Sequence, residues 1–144
     1  MDQIDILLVE DNSSDAEMTL YALRKNKLVN QLLHLEDGAQ AIDFLFGRSS
    51  YIERNTAMMP AVILLDLKMP KINGLEVLEA IKGDERTRKI PVIILTSSKE
   101  EPDILKAYDL GANSYIVKPV VFEDFQKAIA DIGYYWMFLN QNFK

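Results

Sequence analysis

The chain contains no cysteine and a single histidine, His34. Disulfides, thiolate metal sites, a cysteine nucleophile and a His-rich zinc centre are therefore excluded. No apolar run approaches the ~20 residues that a membrane-spanning helix requires. The N-terminus, MDQID, carries no basic stretch ahead of its apolar run and does not read as a signal peptide. A soluble cytoplasmic protein, with no membrane partner, is the expectation. Positive charge is in deficit: 16 Lys+Arg against 22 Asp+Glu leave a net charge of −6, which disfavours a general nucleic-acid surface. There is no internal repeat, no low-complexity tract and no linker leading to a second domain. What is present is an ordinary globular balance, 49% hydrophobic and 26% charged, over 144 residues, a length suited to one domain.

Four short apolar runs stand out: Ile6–Val9, Ala61–Leu65, Val92–Leu95 and Tyr115–Val117. They are rich in β-branched residues and lack polar alternation, the pattern of strands covered on both faces. Gln31–Leu35, mixed in polarity, suits an edge strand. Between them lie helical stretches. Ser13 and Ser14 are placed to cap the first, with Asp15 and Glu17 in its first turn and Ala16, Leu20 and Leu23 as its apolar stripe. Gly38–Phe46, Leu75–Lys82 and Ile104–Leu110 follow, the last ended by Gly111. Phe122–Leu139 is the longest. The alternation of strand and helix predicts a single doubly wound α/β domain. The polar stretch Gly47–Met59 reads as a surface loop with a frayed helix end.

Chemistry concentrates where the apolar runs stop. The first is followed by Glu10 and Asp11, the second by Asp66, the third by Thr96, and the last by Lys118 and Pro119. In an open parallel sheet the crevice outside the carboxyl ends of the strands is where sites form. Three carboxylates gathered there repel one another and need cationic compensation. Lys118 supplies one charge, and a hard divalent ion, Mg²⁺ or Mn²⁺, supplies two more. Asp66 is the best-placed nucleophile for a phosphoryl group. Taken singly, each acid reads equally as a cap or a solvated loop charge; their joint placement carries the hypothesis.

The motifs Val9-Glu10-Asp11-Asn12, Leu65-Asp66-Leu67-Lys68-Met69-Pro70 with Asn73-Gly74, Leu95-Thr96-Ser97-Ser98 and Tyr115-Ile116-Val117-Lys118-Pro119 together resemble the CheY-like receiver domain of two-component response regulators. The intervals agree: 30 residues from Asp66 to Thr96, 19 from Thr96 to Tyr115 and 3 from Tyr115 to Lys118. The likeness runs from about Ile4 to Phe138, so that residues 1–144 are expected to form one receiver domain. It implies a flavodoxin-like five-stranded parallel sheet of order 2-1-3-4-5. It also implies a phosphoacceptor protein rather than an enzyme, taking a phosphoryl group on Asp66 from a sensor histidine kinase. By the same resemblance Glu10, Asp11, Asp66 and the backbone carbonyl of Lys68 ligate Mg²⁺, and Thr96 and Lys118 contact the phosphoryl group. The Lys118–Pro119 peptide is cis, and Thr96 with Tyr115 forms a conformational switch. Two positions differ from the commonest pattern. The acidic pair is Glu-Asp, and Lys68 is a long cation that could shield the acyl phosphate or pair with Glu10.

About 25 residues follow Lys118, room for one helix, so direct transcriptional control is disfavoured. In that helix Phe122, Phe125, Ile129, Ile132, Trp136 and Leu139 form a core-facing stripe. Tyr134, Tyr135, Met137 and Phe138 crowd its other faces. One helix against one core cannot bury them all, and clustered exposed aromatics mark interfaces. The expectation is a homodimer through Phe122, Tyr134, Tyr135, Trp136 and Phe138, together with the face of the fourth helix and fifth strand. The layout is similar to the small response regulators that serve cyanobacterial phytochromes, which implies a light-sensing kinase as partner. His34 is expected to be a plain surface or edge residue.

Three alternatives stay open. A phosphatase with an aspartyl nucleophile would want an acid where Lys68 stands. A constitutive dimeric scaffold would carry the pocket as a vestige. A nucleotide-binding module lacks a glycine-rich phosphate loop after the first strand.

Overall fold

A computed structural model describes residues 5–25, 31–69, 71–97 and 101–131. Five strands, β1 (Ile6–Val9), β2 (Leu32–Leu35), β3 (Val62–Asp66), β4 (Val92–Thr96) and β5 (Ser114–Val117), alternate with five helices. The helices are α1 (Ser13–Lys25), α2 (Gly38–Phe46), α3 (Gly74–Lys82), α4 (Glu101–Asp109) and α5, described over Phe122–Asp131. All strands pair in parallel, in the order β2-β1-β3-β4-β5. This is the expected flavodoxin-like arrangement.

The continuous apolar runs fill two cores at once. Leu7, Val9, Ile63, Leu65, Val92 and Ile94 point to one face, where they meet α2, α3 and α4 through Ala41, Phe44, Leu45, Val77, Leu78, Ile81 and Ala107. Ile6, Leu8, Val62, Leu64, Ile93 and Leu95 point to the other, against Ala16 and Leu23 of α1 and Phe125 and Ala128 of α5. A strand with period two and helices on both sides has no solvent face, so polar alternation would cost burial.

Register aligns the strand ends. Val9 lies opposite Leu65, Asp66 opposite Leu95, and Thr96 opposite Val117. The first polar residue after each run therefore emerges at the same edge of the sheet. The sheet order reverses about β1, which leaves a crevice beside it.

Two local readings are corrected. Asn12, not Ser13 or Ser14, caps α1: its Oδ1 accepts the Asp15 N–H at 2.9 Å. The serines are already inside the helix, and Asn is as good a cap as Ser. The Gly47–Met59 stretch is built rather than frayed. Gly47, at φ +66°, ends α2 in the left-handed conformation, and Ser49–Tyr51 forms a 3₁₀ turn. Arg54 then folds back onto the end of α2. Its Nε donates to the Phe44 carbonyl at 2.6 Å and its guanidinium also donates to Met58 at 2.6 Å and Asn55 at 3.2 Å. The same group lies 4.1 Å from the centroid of the Phe44 ring, which Tyr51 meets edge-on at 5.3 Å. A cation here satisfies terminal helix carbonyls and complements the helix dipole.

The aromatic residues Tyr134, Tyr135, Trp136 and Phe138 lie outside the described residues, as does the side chain of Phe122. Among the described residues no helix is long and apolar enough to cross a membrane.

Arg54→Ala is expected to lower unfolding stability by about 2–3 kcal/mol in denaturant titrations, through stranded carbonyls and a lost cation–π contact. Arg54→Lys is expected to recover little of it, because a point charge cannot replace the planar fork.

Candidate functional site: an acidic pocket at the strand ends

Glu10, Asp11 and Asp66 converge as the strand ends require. Each contributes an oxygen within 4.8 Å of the others. Glu10 is fully buried and Asp66 nearly so, at 0% and 4% exposure, whereas Asp11 is open to solvent. Two anions removed from water need a counter-charge, and Lys118 provides it from the end of β5. Its Nζ lies 2.6 Å from Glu10 Oε1, 3.4 Å from Asp66 Oδ1 and 3.0 Å from Asp15 Oδ2. The Lys118 N–H donates to the Thr96 carbonyl at 2.8 Å, and the Lys118–Pro119 peptide is cis. Thr96 is buried beside them, at 1% exposure.

Backbone contacts hold the carboxylates. Asp66 Oδ1 accepts the Lys68 N–H at 3.3 Å, and Glu10 Oε2 accepts the Asn12 N–H at 3.2 Å. Leu67 and Met69 turn into the core while the Lys68 side chain stays exposed. The cation on Glu10 is thus Lys118, not Lys68. Behind the Asp66 side chain, a Cβ on Gly74 would run into the Asp66 carbonyl oxygen, so glycine is what lets α3 start this close to β3. Lys71, in the same loop, adopts φ +65°, a conformation that costs roughly 1 kcal/mol for a residue with a Cβ.

His34 lies on the edge strand β2, as expected, and its ring makes a contact there. Its Nε2 donates to the Glu10 carbonyl at 2.8 Å, while the Glu10 N–H donates to the Leu35 carbonyl at 3.0 Å. In a parallel ladder the Glu10 carbonyl would next meet the backbone of residue 37. That residue is instead capping α2, so the imidazole takes its place. Asp15 likewise sits in the pocket, although as a first-turn helix residue it reads from sequence as dipole complement alone. Sequence spacing held no clue to either contact, because each partner lies on a separate strand or helix.

Burial raises the Asp66 carboxyl from 3.8 to about 7, and the hydrogen bond and negative charge of Glu10 push the same way; Lys118 and the Lys68 amide oppose them. For Lys118, burial alone would lower the ammonium pKa, but the contacts with Glu10, Asp15 and Asp66 outweigh it and hold the pKa above the ordinary lysine value.

The donor set fits a hard divalent cation. It is all oxygen and rich in carboxylate, with an exposed Asp11 at the mouth. Glu10 Oε1, though ion-paired with Lys118, receives no hydrogen bond of good geometry. Tyr115 stands apart at the outer edge of β5. The residue is 38% exposed, and its ring meets Tyr108 of α4 edge-on at 5.7 Å.

Residues 6–130 match the response regulator receiver domain. The chain belongs to that family. This receiver is 38% identical over 141 residues to the probable methanogenesis regulatory protein FilR2 of Methanothrix harundinacea, covering 98% of this chain and 88% of the relative. It is 36% identical over 132 residues to response regulator Rcp1 of Synechocystis sp., covering 92% and 88%. The solved Mn²⁺-bound form of Rcp1 superposes with a TM-score of 0.75 over 94% of this chain and 95% of that one. A solved bacteriophytochrome response regulator, AtBRR, is closer still, with 50% identity and a TM-score of 0.85 over 94% of this chain and 96% of that one. The receiver is therefore a response regulator close to those of phytochromes.

The raised Asp66 carboxyl has a sign that stability measurements read. The folded receiver retains a proton that the unfolded chain releases at pH 3.8, so this group's contribution is full below that value and is lost as pH rises towards about 7. In metal-free buffer at pH 8, Asp66→Asn is expected to be about 1–3 kcal/mol more stable than the parent. The gap should close at pH 4 and narrow when Mg²⁺ is added, as followed by thermal unfolding.

Proposed function

We propose that this receiver accepts a phosphoryl group on Asp66 from a sensor histidine kinase and signals through protein contact. The observation that carries the reading is the Lys118 ammonium set 3.4 Å from a buried Asp66 whose neighbours Glu10 and Asp11 complete an acidic triad. An Asp66 oxygen attacks phosphorus, the P–N bond to the donor imidazole breaks, and the electron pair leaves with that nitrogen. An acyl phosphate results. Lys118 neutralises one phosphoryl oxygen and the Thr96 hydroxyl donates to another, so positioning and charge do most of the work. Glu10, Asp11, Asp66 and the Lys68 carbonyl would hold Mg²⁺, or Mn²⁺, which when bound neutralises the developing phosphoryl charge. Two residues after Asp66, where an aspartyl phosphatase would carry its general acid, stands Lys68, which favours a phosphoacceptor over a phosphatase.

The switch follows from the same residues. Thr96 is buried at the pocket, and the neighbouring Tyr115 ring lies outward on Tyr108. Movement of Thr96 towards the phosphoryl group vacates room for the Tyr115 ring, a two-state element biased by a local charge. The partner kinase is of the phytochrome type; the 50% identity to a bacteriophytochrome response regulator supports this. Incubation with Mg²⁺ and acetyl phosphate is expected to add one phosphate by intact mass, stable to acid and labile to hydroxylamine. Asp66→Asn should take none. An unmodified parent protein would point to a scaffold with a vestigial pocket, and continuous phosphate release to a phosphatase.

The receiver is also proposed to form a homodimer through its last helix and the α4–β5 face. Leu105, Tyr108 and Tyr115 are exposed on that side, at 55%, 43% and 38%, and the sequence adds the aromatic run Tyr134, Tyr135, Trp136 and Phe138. Sedimentation at micromolar concentration should give twice the 16.4 kDa chain mass. The double substitution Tyr135→Ala, Phe138→Ala should shift it towards the monomer.

A further inference from the structure

We infer that Asp15 is a positioning residue for Lys118, a replaceable anion that holds the ammonium until a phosphoryl group takes its place. The inference rests on the phosphorylation of Asp66 proposed above. An ammonium has three N–H donors, and the Lys118 Nζ lies within ion-pairing distance of three carboxylates: Glu10 at 2.6 Å, Asp15 at 3.0 Å and Asp66 at 3.4 Å. The ammonium donates a hydrogen bond to Asp15 Oδ2 while Glu10 and Asp66 crowd it as ion-pair partners, so a phosphoryl oxygen approaching Lys118 competes with these carboxylates for it.

Burial decides which gives way. The Glu10 side chain is 0% exposed and Asp66 6%, whereas Asp15 is 37% exposed. Releasing Glu10 would strand a charge out of reach of water, which is expensive. Asp66 carries the phosphoryl group itself. Asp15 alone can exchange the ammonium for water at little cost. Its backbone is meanwhile pinned, because its N–H donates to Asn12 Oδ1 at 2.9 Å and its carbonyl accepts the Thr19 hydroxyl at 2.9 Å. The carboxylate is thus held at the α1 wall of the pocket, spanning 103 residues of sequence to reach Lys118. It acts as a competitor: while paired with Lys118 it lowers the receiver's affinity for a phosphoryl group.

The test uses beryllofluoride, a phosphoryl mimic, titrated calorimetrically at saturating Mg²⁺. Asp15→Asn is expected to bind it about three- to fivefold more tightly than the parent, in the range of a partly exposed ion pair. In a Lys118→Gln background the same substitution should change affinity little, because the tether is already gone. Unchanged or weaker binding by a folded Asp15→Asn protein overturns the inference. So does an equal gain in both backgrounds, which would mean simple charge repulsion. A crystal structure of the unsubstituted beryllofluoride complex gives an independent measure. Separation of Lys118 Nζ and Asp15 beyond 4 Å is expected, and a retained pair overturns the role of Asp15. A folded parent that binds Mg²⁺ but no beryllofluoride, and takes no phosphate, overturns the phosphorylation reading and this inference with it. Phosphorylation without any Asp15 effect removes only the latter.

Discussion

A single ammonium makes the acidic pocket tenable. Glu10 and Asp66 are buried against the ends of β1 and β3, where two unbalanced carboxylates would repel each other and lack water. Lys118 stands between them and Asp15, and it arrives there from the far edge of the sheet. Burial, joined by the hydrogen bond and charge of Glu10, still outweighs that ammonium and raises the Asp66 carboxyl to about 7. A pocket left short of positive charge is one that favours an added divalent cation. The electrostatic deficit and the proposed chemistry are in this sense the same property.

The rest of the domain serves to hold that arrangement still. Register sets Glu10 and Asp66 side by side, with Thr96 and Lys118 on the next strands. Two cores grip the sheet from both faces, so no strand can slip without inverting its buried side chains. Around the rim, particular residues close gaps that the ladder leaves. His34 takes the Glu10 carbonyl where β2 turns away, and Gly74 lets α3 begin against the Asp66 backbone. Lys82, with its ammonium on the Arg88 and Ile90 carbonyls at 3.1 and 2.8 Å, ties the end of α3 to the approach of β4.

Away from the pocket the surface changes character. The α4–β5 side exposes Leu105, Tyr108 and Tyr115, with the two tyrosine rings in edge contact. Tyr115 is in the strand that leads directly into Lys118. A charge event at the pocket and a ring on the outer face are thus two ends of one short segment, which is the economy of connection that the proposed switch exploits.

Much of this was legible in the amino-acid order. Runs such as Ile6–Val9 and Val62–Leu65 must be buried on both faces, because no polar residue interrupts them. That fact alone implies helices on each side and brings the residues that follow, Glu10 and Asp66, to a common edge. The motif intervals carried the family. What tertiary structure alone decided are the pairings between distant side chains with no period to reveal them. Asp15 with Lys118 spans 103 positions, His34 with the Glu10 carbonyl spans 24, and Arg54 with the Phe44 carbonyl spans 10. Local patterns report which face a residue prefers. They do not report which of several charged or polar groups will share a given proton, because that depends on the ångström-scale geometry in which separate strands and helices finally meet.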